Sequence, residues 1–472
     1  MVFSSTVFLF LFLPAVLAVY FAVPKKFRAA RNMVLLAFSL FFYFYGEPKA
    51  IVVMVASIVG NYLFALTLDS ETGLREKPAR RAMTVLATIF NLAIIGYFKY
   101  AGFVVENLNL ILGGRLTVPQ IAMPIGISFF TFQGMSYVFD VAKGDVPAQR
   151  NVLYVATYIS LFPQLVAGPI VRYQTIADEL TSRDENLPEF SAGIRRFIIG
   201  LAKKLLVANS VGALATEIFA LPAALLSTAE VWLGAVAYSL QILFDFSGYS
   251  DMAIGLGHVF GFAFDENFNY PYIARSVTDF WRRWHISLST WFRDYVYIPL
   301  GGNRRSLRRQ IFNILVVWML TGLWHGAAWN FVLWGLYFAL LLIAEKLFFG
   351  RLLERLPRAV GHIYTLLAVV VGWIFFTAPD FGTAFAWLGA MFTPTAGVEG
   401  GAAHALALLY EHKAELLLGA VLCVPVAKKL SMRFEDKLGY RLVRDVMTAA
   451  LFVVCVARVV SSTFNPFIYF RF

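Results

Sequence analysis

Two histidines of the 472-residue chain stand in settings suited to proton transfer. His325 lies in Thr321-Gly322-Leu323-Trp324-His325-Gly326, inside a run from Ile311 to Ala344 with no Asp, Glu, Lys or Arg. A helix through those 34 residues would be about 51 Å long, too long for one crossing of a hydrocarbon core of about 30 Å. A break is therefore expected near His325. An ionisable side chain at membrane depth is a functional candidate by default, and neutral imidazole can take a hydroxyl proton and later return one. The competing interpretation is a histidine hydrogen-bonded to a neighbouring helix. His285 lies in a second segment, Ser276 to Asn303. Ser276 followed by Asp279 resembles a capping box, and the spacing predicts a helix with Trp281, His285, Leu288 and Phe292 on one face. Arg282, Ser289 and Arg293 would occupy the opposite face, where they can meet water or phosphate. A membrane-surface helix with a buried structural histidine remains the alternative.

Other polar groups lie within apolar blocks. Phe244 to Asp251 reads FDFSGYSD and carries Asp245, Ser247, Ser250 and Asp251, whose carboxylates must be paired, protonated or exposed to a wet path. Gln133, Ser136, Tyr137 and Asp140 form a weaker stripe in 121–140. Structural glue between helices is an equal reading for both groups. Arg304, Arg305, Arg308 and Arg309 follow Gly301-Gly302. They satisfy the excess of basic residues expected in cytoplasmic loops, and they equally suit an anionic donor such as a coenzyme A thioester.

The elements that must position these residues are membrane helices. The chain is 59% hydrophobic and 15% charged, against about 25% charged for a soluble domain. Disordered, collagen-like and disulfide-scaffold classes are excluded. Forty Lys plus Arg against 29 Asp plus Glu give +11, an excess that belongs to inner loops rather than to nucleic-acid binding. Cys423 and Cys455 sit in apolar segments, and their spacing offers neither a disulfide framework nor a zinc site. No metal and no bound cofactor follow from the sequence.

Spans are expected at 5–23, 32–46, 50–68, 82–100 and 121–139, then near 211–226, 231–255, 311–324, 327–346, 360–379, 414–427 and 446–463. That is about eleven or twelve crossings. The block 152–171, with Phe162-Pro163 and Gly168-Pro169, fits a re-entrant hairpin, because broken backbone at depth must be sheltered by protein or line a wet cavity. Basic residues Lys25, Lys26, Arg28 and Arg31 follow the first apolar run, which predicts an uncleaved first span with its N-terminus outside. The basic residues from Arg172 to Lys204, and those from Lys428 to Arg444, predict inner loops, with the C-terminus outside.

Six motifs together resemble the membrane-bound O-acyltransferase family and, within it, a bacterial alginate O-acetyltransferase branch. They read PIGISFFTFQGMSYVFDV from Pro124, FPQLVAGPI from Phe162, FDFSGYSDMAIG from Phe244, FWRRWHISLSTWFRDYVYIPLGGNR from Phe280, GLWHGA from Gly322 and the terminal FNPFIYFRF. The resemblance implies one all-α transmembrane domain over 1–472, with a catalytic core of about 121–346 and an aromatic tail at 464–472. It implies a multi-pass protein of the bacterial inner membrane, with a ring of helices about a tunnel. His325 would be the catalytic residue and His285 the second family position. Acetyl-CoA would be the donor, entering from the cytoplasm. Asp245, Ser247, Ser250, Asp251, Gln133, Arg282, Arg283 and Trp324 are the candidates for donor binding or tunnel lining. The acceptor would be an exported polysaccharide, alginate first. Peptidoglycan, another glycan or D-alanyl transfer is the alternative within the same fold. A periplasmic acetyltransferase or acyl-carrier partner would complete transfer. The tail resembles a motif of partner peptides in a D-alanylating branch, which makes Tyr469 a candidate acyl relay, with an interfacial aromatic anchor as its alternative. A non-catalytic transporter or channel would also use broken helices and polar stripes.

Overall fold

The computed structural model describes residues 1–395, 397, 400–461 and 467–468. Helices account for its regular structure, and there is no strand among the described residues. Among the described residues, seven helices are long and apolar enough to cross a membrane: Arg28–Gly46, Ile51–Leu68, Lys77–Leu112, Leu187–Phe219, Thr228–Val259, Trp329–Arg355 and Arg358–Thr377. Two shorter apolar helices, Phe8–Ala22 and Phe381–Phe392, add to them. The protein is an all-α, multi-pass membrane protein. Its residues fall into two compact units, one of 1–197 with 252–265, the other of 198–251 with 266–472.

In the first unit the blocks at 5–23, 32–46 and 50–68 fold close to their expected limits, whereas the one expected at 82–100 belongs to a longer helix, Lys77–Leu112. The helix expected from 121 begins at Ile127, because Pro124 and the left-handed Gly126 (φ +74°) turn the chain just before it. The block expected to be re-entrant contains a helix of only nine residues, Val152–Ser160. At about 1.5 Å per residue it rises about 14 Å, half a crossing. Arg28 and Arg31, expected in a basic loop, are bound into a buried cluster. Glu185 accepts from Tyr20 Oη at 2.5 Å, pairs with Arg31 Nη1 at 3.0 Å and also receives Arg28. Arg183 donates to Tyr20 Oη at 2.9 Å and to Asn32 Oδ1 at 2.8 Å.

Three expectations need correction. The span placed at 211–226 is the end of a longer helix, Leu187–Phe219, which stops ahead of Pro222 because the residue before proline disfavours helix. Lys203 and Lys204, read as part of an inner loop, lie within that helix on a π turn, Lys203–Ala208. The apolar run at 414–427 is no continuous span, since Lys413–Leu422 gives way at Cys423 and Pro425 before Val426–Phe434.

In the second unit, Leu307–His325 and Trp329–Ala344 form an antiparallel hairpin. Its closeness depends on two glycines. A Cβ on Gly322 would lie 2.3 Å from Phe331 O, and one on Gly335 would lie 2.3 Å from Trp318 O. Neither backbone carbonyl can yield cheaply, so any larger residue would separate the helices. The uncharged 34-residue run thus breaks at Gly326, directly after His325.

Candidate active site

His325 ends its helix with its ring enclosed by aromatic side chains. Centroid distances are 4.9 Å to Trp324, 5.1 Å to Trp334 and 5.3 Å to Phe376. The residue is 3% exposed. Trp324 neighbours both histidines, since its ring is also 5.8 Å from that of His285.

The structure overturns the expected continuous helix through His285. One helix, Val277–Trp281, ends there, and a second, Ile286–Phe292, begins after His285. His285 itself occupies the left-handed region at φ +46°, unusual for a residue with a side chain and a form of strain found at functional sites. Backbone bonds from a distant loop hold the turn: Ile286 N donates to Asn267 O at 3.0 Å and Asn269 N to Arg283 O at 2.9 Å. The turn also redirects the side chains. Trp281, His285, Leu288 and Phe292 border the same cavity as Arg282, Ser289 and Arg293, which a straight helix would have sent to its far side.

Asn267 fixes the His285 ring. Its Oδ1 lies 3.2 Å from His285 Nδ1 and accepts from Ser287 Oγ at 2.9 Å, while its Nδ2 donates to Ser250 Oγ at 3.1 Å. An amide oxygen only accepts, so Nδ1 carries the proton and Nε2 keeps its lone pair. Ser250 therefore acts through Asn267. The serine half of the expected capping box is present, with Asp279 N donating to Ser276 Oγ at 2.9 Å, while the Asp279 carboxylate accepts from Arg275 N at 3.4 Å and from Arg283 Nε at 2.8 Å. A second cap comes from Glu345, whose carboxylate accepts from Val277 N at 2.6 Å and Thr278 N at 2.8 Å. Acidic groups at a helix N-terminus stabilise it.

A cavity of about 220 Å³ is bordered by both His285 and His325. Thr278, Arg282, Tyr297 and Leu342 are walls both of this cavity and of a wider one of about 1140 Å³. The wider cavity carries Arg275, Arg282, Arg283, Lys346 and Arg358 against Asp279, Glu345 and Glu354. A third cavity, about 460 Å³, is lined by Gln241, Asn330, Phe331, Phe376, Phe467 and Ile468 among others. Phe376 thus touches the His325 ring and also borders that third space.

The remaining candidates fall into three groups. Asp245 and Asp251 are paired with Lys204 and Lys203, at 2.5 and 2.6 Å. Ser247 is buried on the same helix. Gln133 belongs to the first unit, on Ile127–Lys143, and is completely buried. Tyr469 lies outside the described residues. Asn267 and Phe376 join the site without having stood out in the sequence. Neither has a local signal, because each acts on its histidine from a remote segment. Lys204 was visible only as one basic residue among several.

The arrangement has the parts of an acyl-transfer centre: a sheltered imidazole, a second imidazole with a fixed lone pair, and a cationic antechamber. Comparison with known proteins identifies the family. The family model for the membrane-bound O-acyltransferase family matches residues 146–382, which include both histidines, Asn267 and the vestibule arginines. A probable alginate O-acetylase of Pseudomonas putida is 39% identical over the full length of both chains. That of Azotobacter vinelandii is 43% identical over 83% of this chain and 78% of its own. A peptidoglycan O-acetyltransferase of Helicobacter pylori is 33% identical over 81% of this chain and 78% of its own. On the strength of these matches and of the site they enclose, the chain belongs to the membrane-bound O-acyltransferase family and is an acyltransferase.

Proposed function

We propose that the protein is an inner-membrane O-acetyltransferase that moves acetyl groups from cytoplasmic acetyl-CoA toward an exported polysaccharide, alginate. The observation that carries this reading is the small cavity bordered by His285 and His325, which shares four walls with an arginine-rich vestibule. The vestibule suits the phosphates of coenzyme A, since arginine pairs with phosphate through paired N–H donors. The small cavity suits the acetyl end of the thioester. The relatives named for alginate O-acetylation support the polymer.

In this reading, His325 takes the proton of the acceptor hydroxyl as its oxygen attacks the thioester carbonyl. The C–S bond breaks as the tetrahedral intermediate collapses, and the imidazolium returns its proton to the leaving thiolate. General base catalysis of this kind contributes about 10²–10⁴-fold. The lone pair of His285 Nε2, set by Asn267, orients the reacting groups from the donor side. The third cavity takes the acceptor, and a periplasmic acetyltransferase or acyl carrier completes delivery to the polymer. Peptidoglycan is the second acceptor to test, given the 33% identity to the Helicobacter pylori enzyme.

Purified protein in liposomes, given acetyl-CoA and scored for free CoA, separates acyl transfer from transport. Release above protein-free liposomes is expected, whereas intact acetyl-CoA throughout would contradict the reading. Acetyl analysis of alginate and peptidoglycan from cells lacking the protein identifies the polymer.

A further inference from the structure

Two ion pairs, one buried and one partly exposed, join Leu187–Phe219 to Thr228–Val259. The π turn Lys203–Ala208 places adjacent lysines toward two carboxylates: Lys204 Nζ lies 2.5 Å from Asp245 Oδ1 and Lys203 Nζ 2.6 Å from Asp251 Oδ2. Gly248, between the carboxylates, permits the approach, since a Cβ there would lie 2.8 Å from Gly200 O. The Lys204 and Asp245 side chains are 3% and 2% exposed. Burying two such ions costs several kcal/mol each, so a pair at this depth adds little stability by itself.

Its second oxygen gives Asp245 a further partner. Asp245 Oδ2 accepts from the backbone N–H of Ile468 at 2.8 Å. The neighbouring Phe467 ring lies 5.0 Å from the Tyr249 ring, one turn along the helix from Asp245, and 5.8 Å from Lys204 Nζ. Phe467 and Ile468 are themselves buried, at 6% and 8%, and both line the third cavity, which is also bordered by Phe376, whose ring centroid is 5.3 Å from that of His325.

We propose that Asp245, paired with Lys204, is a docking post for the Phe467-Ile468 stretch of the chain itself, and that docked Phe467 and Ile468 form one wall of the acceptor cavity. Asp245 and Lys204 are positioning residues: they do not touch the reacting atoms but shape the space the acceptor enters. The carboxylate presents one oxygen to the ammonium and the other to a main-chain donor, so recognition is of backbone and is strengthened by charge. The inference rests on the reading of the third cavity as the acceptor side.

The test compares Asp245→Ala and the double variant Lys204→Met with Asp245→Leu in the full-length protein. The double variant removes both ions together, which avoids an unpaired buried charge and is commonly neutral for folding. Hydrogen exchange reads the docking of the tail, and the acetyl content of the polymer in complemented cells reads its consequence. In the double variant the C-terminal peptide should lose protection and polymer acetylation should fall about tenfold or more, with acetyl-CoA affinity changed less than about twofold, the usual reach of a remote neutral change. Retained tail protection in both variants would overturn the docking. Released tails with wild-type or increased acetylation would overturn the wall, the increase identifying the segment as a plug instead. Failure of the functional reading would look different, because the wild type itself would then acetylate no polymer.

Discussion

His285 Nδ1 lies 3.2 Å from the side-chain oxygen of Asn267, eighteen residues earlier in the chain. The same asparagine accepts from Ser287 Oγ and donates to Ser250 Oγ, so one amide fixes both the tautomer and the plane of the ring. Asn267→Ala leaves buried donors unsatisfied, a loss of about 1–3 kcal/mol. Acetyl transfer should fall about 10- to 100-fold, with membrane insertion normal. Transfer rates on protein quantified in the membrane check this, and an unchanged rate would remove Asn267 from the site.

The vestibule arginines make a different prediction. Arg275 and Arg358 border the wide cavity but not the histidine cavity, whereas Arg282 borders both. Arg275→Ala and Arg358→Ala should each raise the KM for acetyl-CoA about tenfold with kcat nearly constant, the sign of lost uniform binding. Arg282→Ala should lower kcat as well. Initial-rate kinetics in proteoliposomes distinguish the patterns, and equal effects on kcat from all three would refute the division.

Close packing sets His325. Gly335→Ala would place a Cβ 2.3 Å from Trp318 O, and such overpacking costs about 1–3 kcal/mol. The detergent-solubilised variant should melt at a lower temperature and lose activity. Gly389→Ala serves as the comparison, because nothing lies within 4 Å of its added Cβ. It should match or exceed the wild type, as helical alanine is favoured over glycine by about 0.5–1 kcal/mol.

The loop carboxylate Glu185 gives stability a pH dependence. Burial pushes its pKa upward, but the hydrogen bonds from Arg28 and Tyr20, with the charges of Arg28 and Arg183, more than offset this and bring it to about 2 from an ordinary 4.5. A depressed folded-state pKa contributes stability that is complete above the ordinary value and is lost as pH falls toward the folded one. The wild type should therefore lose thermal stability between about pH 4.5 and pH 2, while Glu185→Gln, already less stable at neutral pH, should change little across that window. Parallel melting curves for the two proteins would show that Glu185 is not the group concerned.

Much of the frame was legible in the sequence because membrane physics leaves few choices. The uncharged run from Ile311 to Ala344 had to break, and the Thr321–Gly326 stretch offered the break, so the placement of His325 at a helix end followed from length alone. Asp245 and Asp251 announced that partners were needed, though not which ones. Lys203 and Lys204 looked like loop charges because a π turn has no sequence signature. The bend at His285 was illegible for a related reason. A left-handed non-glycine residue is imposed by Asn267 and Asn269 from another segment, and no local pattern contains them. The segment's helical spacing was real, and it predicted the wrong faces because the helix is interrupted at its centre.

In the proposed function His325 is the base for acyl transfer. Acetyl-labelled acetyl-CoA supplied to the cytoplasmic face of membranes holding wild-type or His325→Ala protein, matched for amount, tests it most directly through label recovered on the polysaccharide. A loss of about 10²–10⁴-fold is expected, with acetyl-CoA still bound. Label incorporated by His325→Ala at the wild-type rate would contradict it.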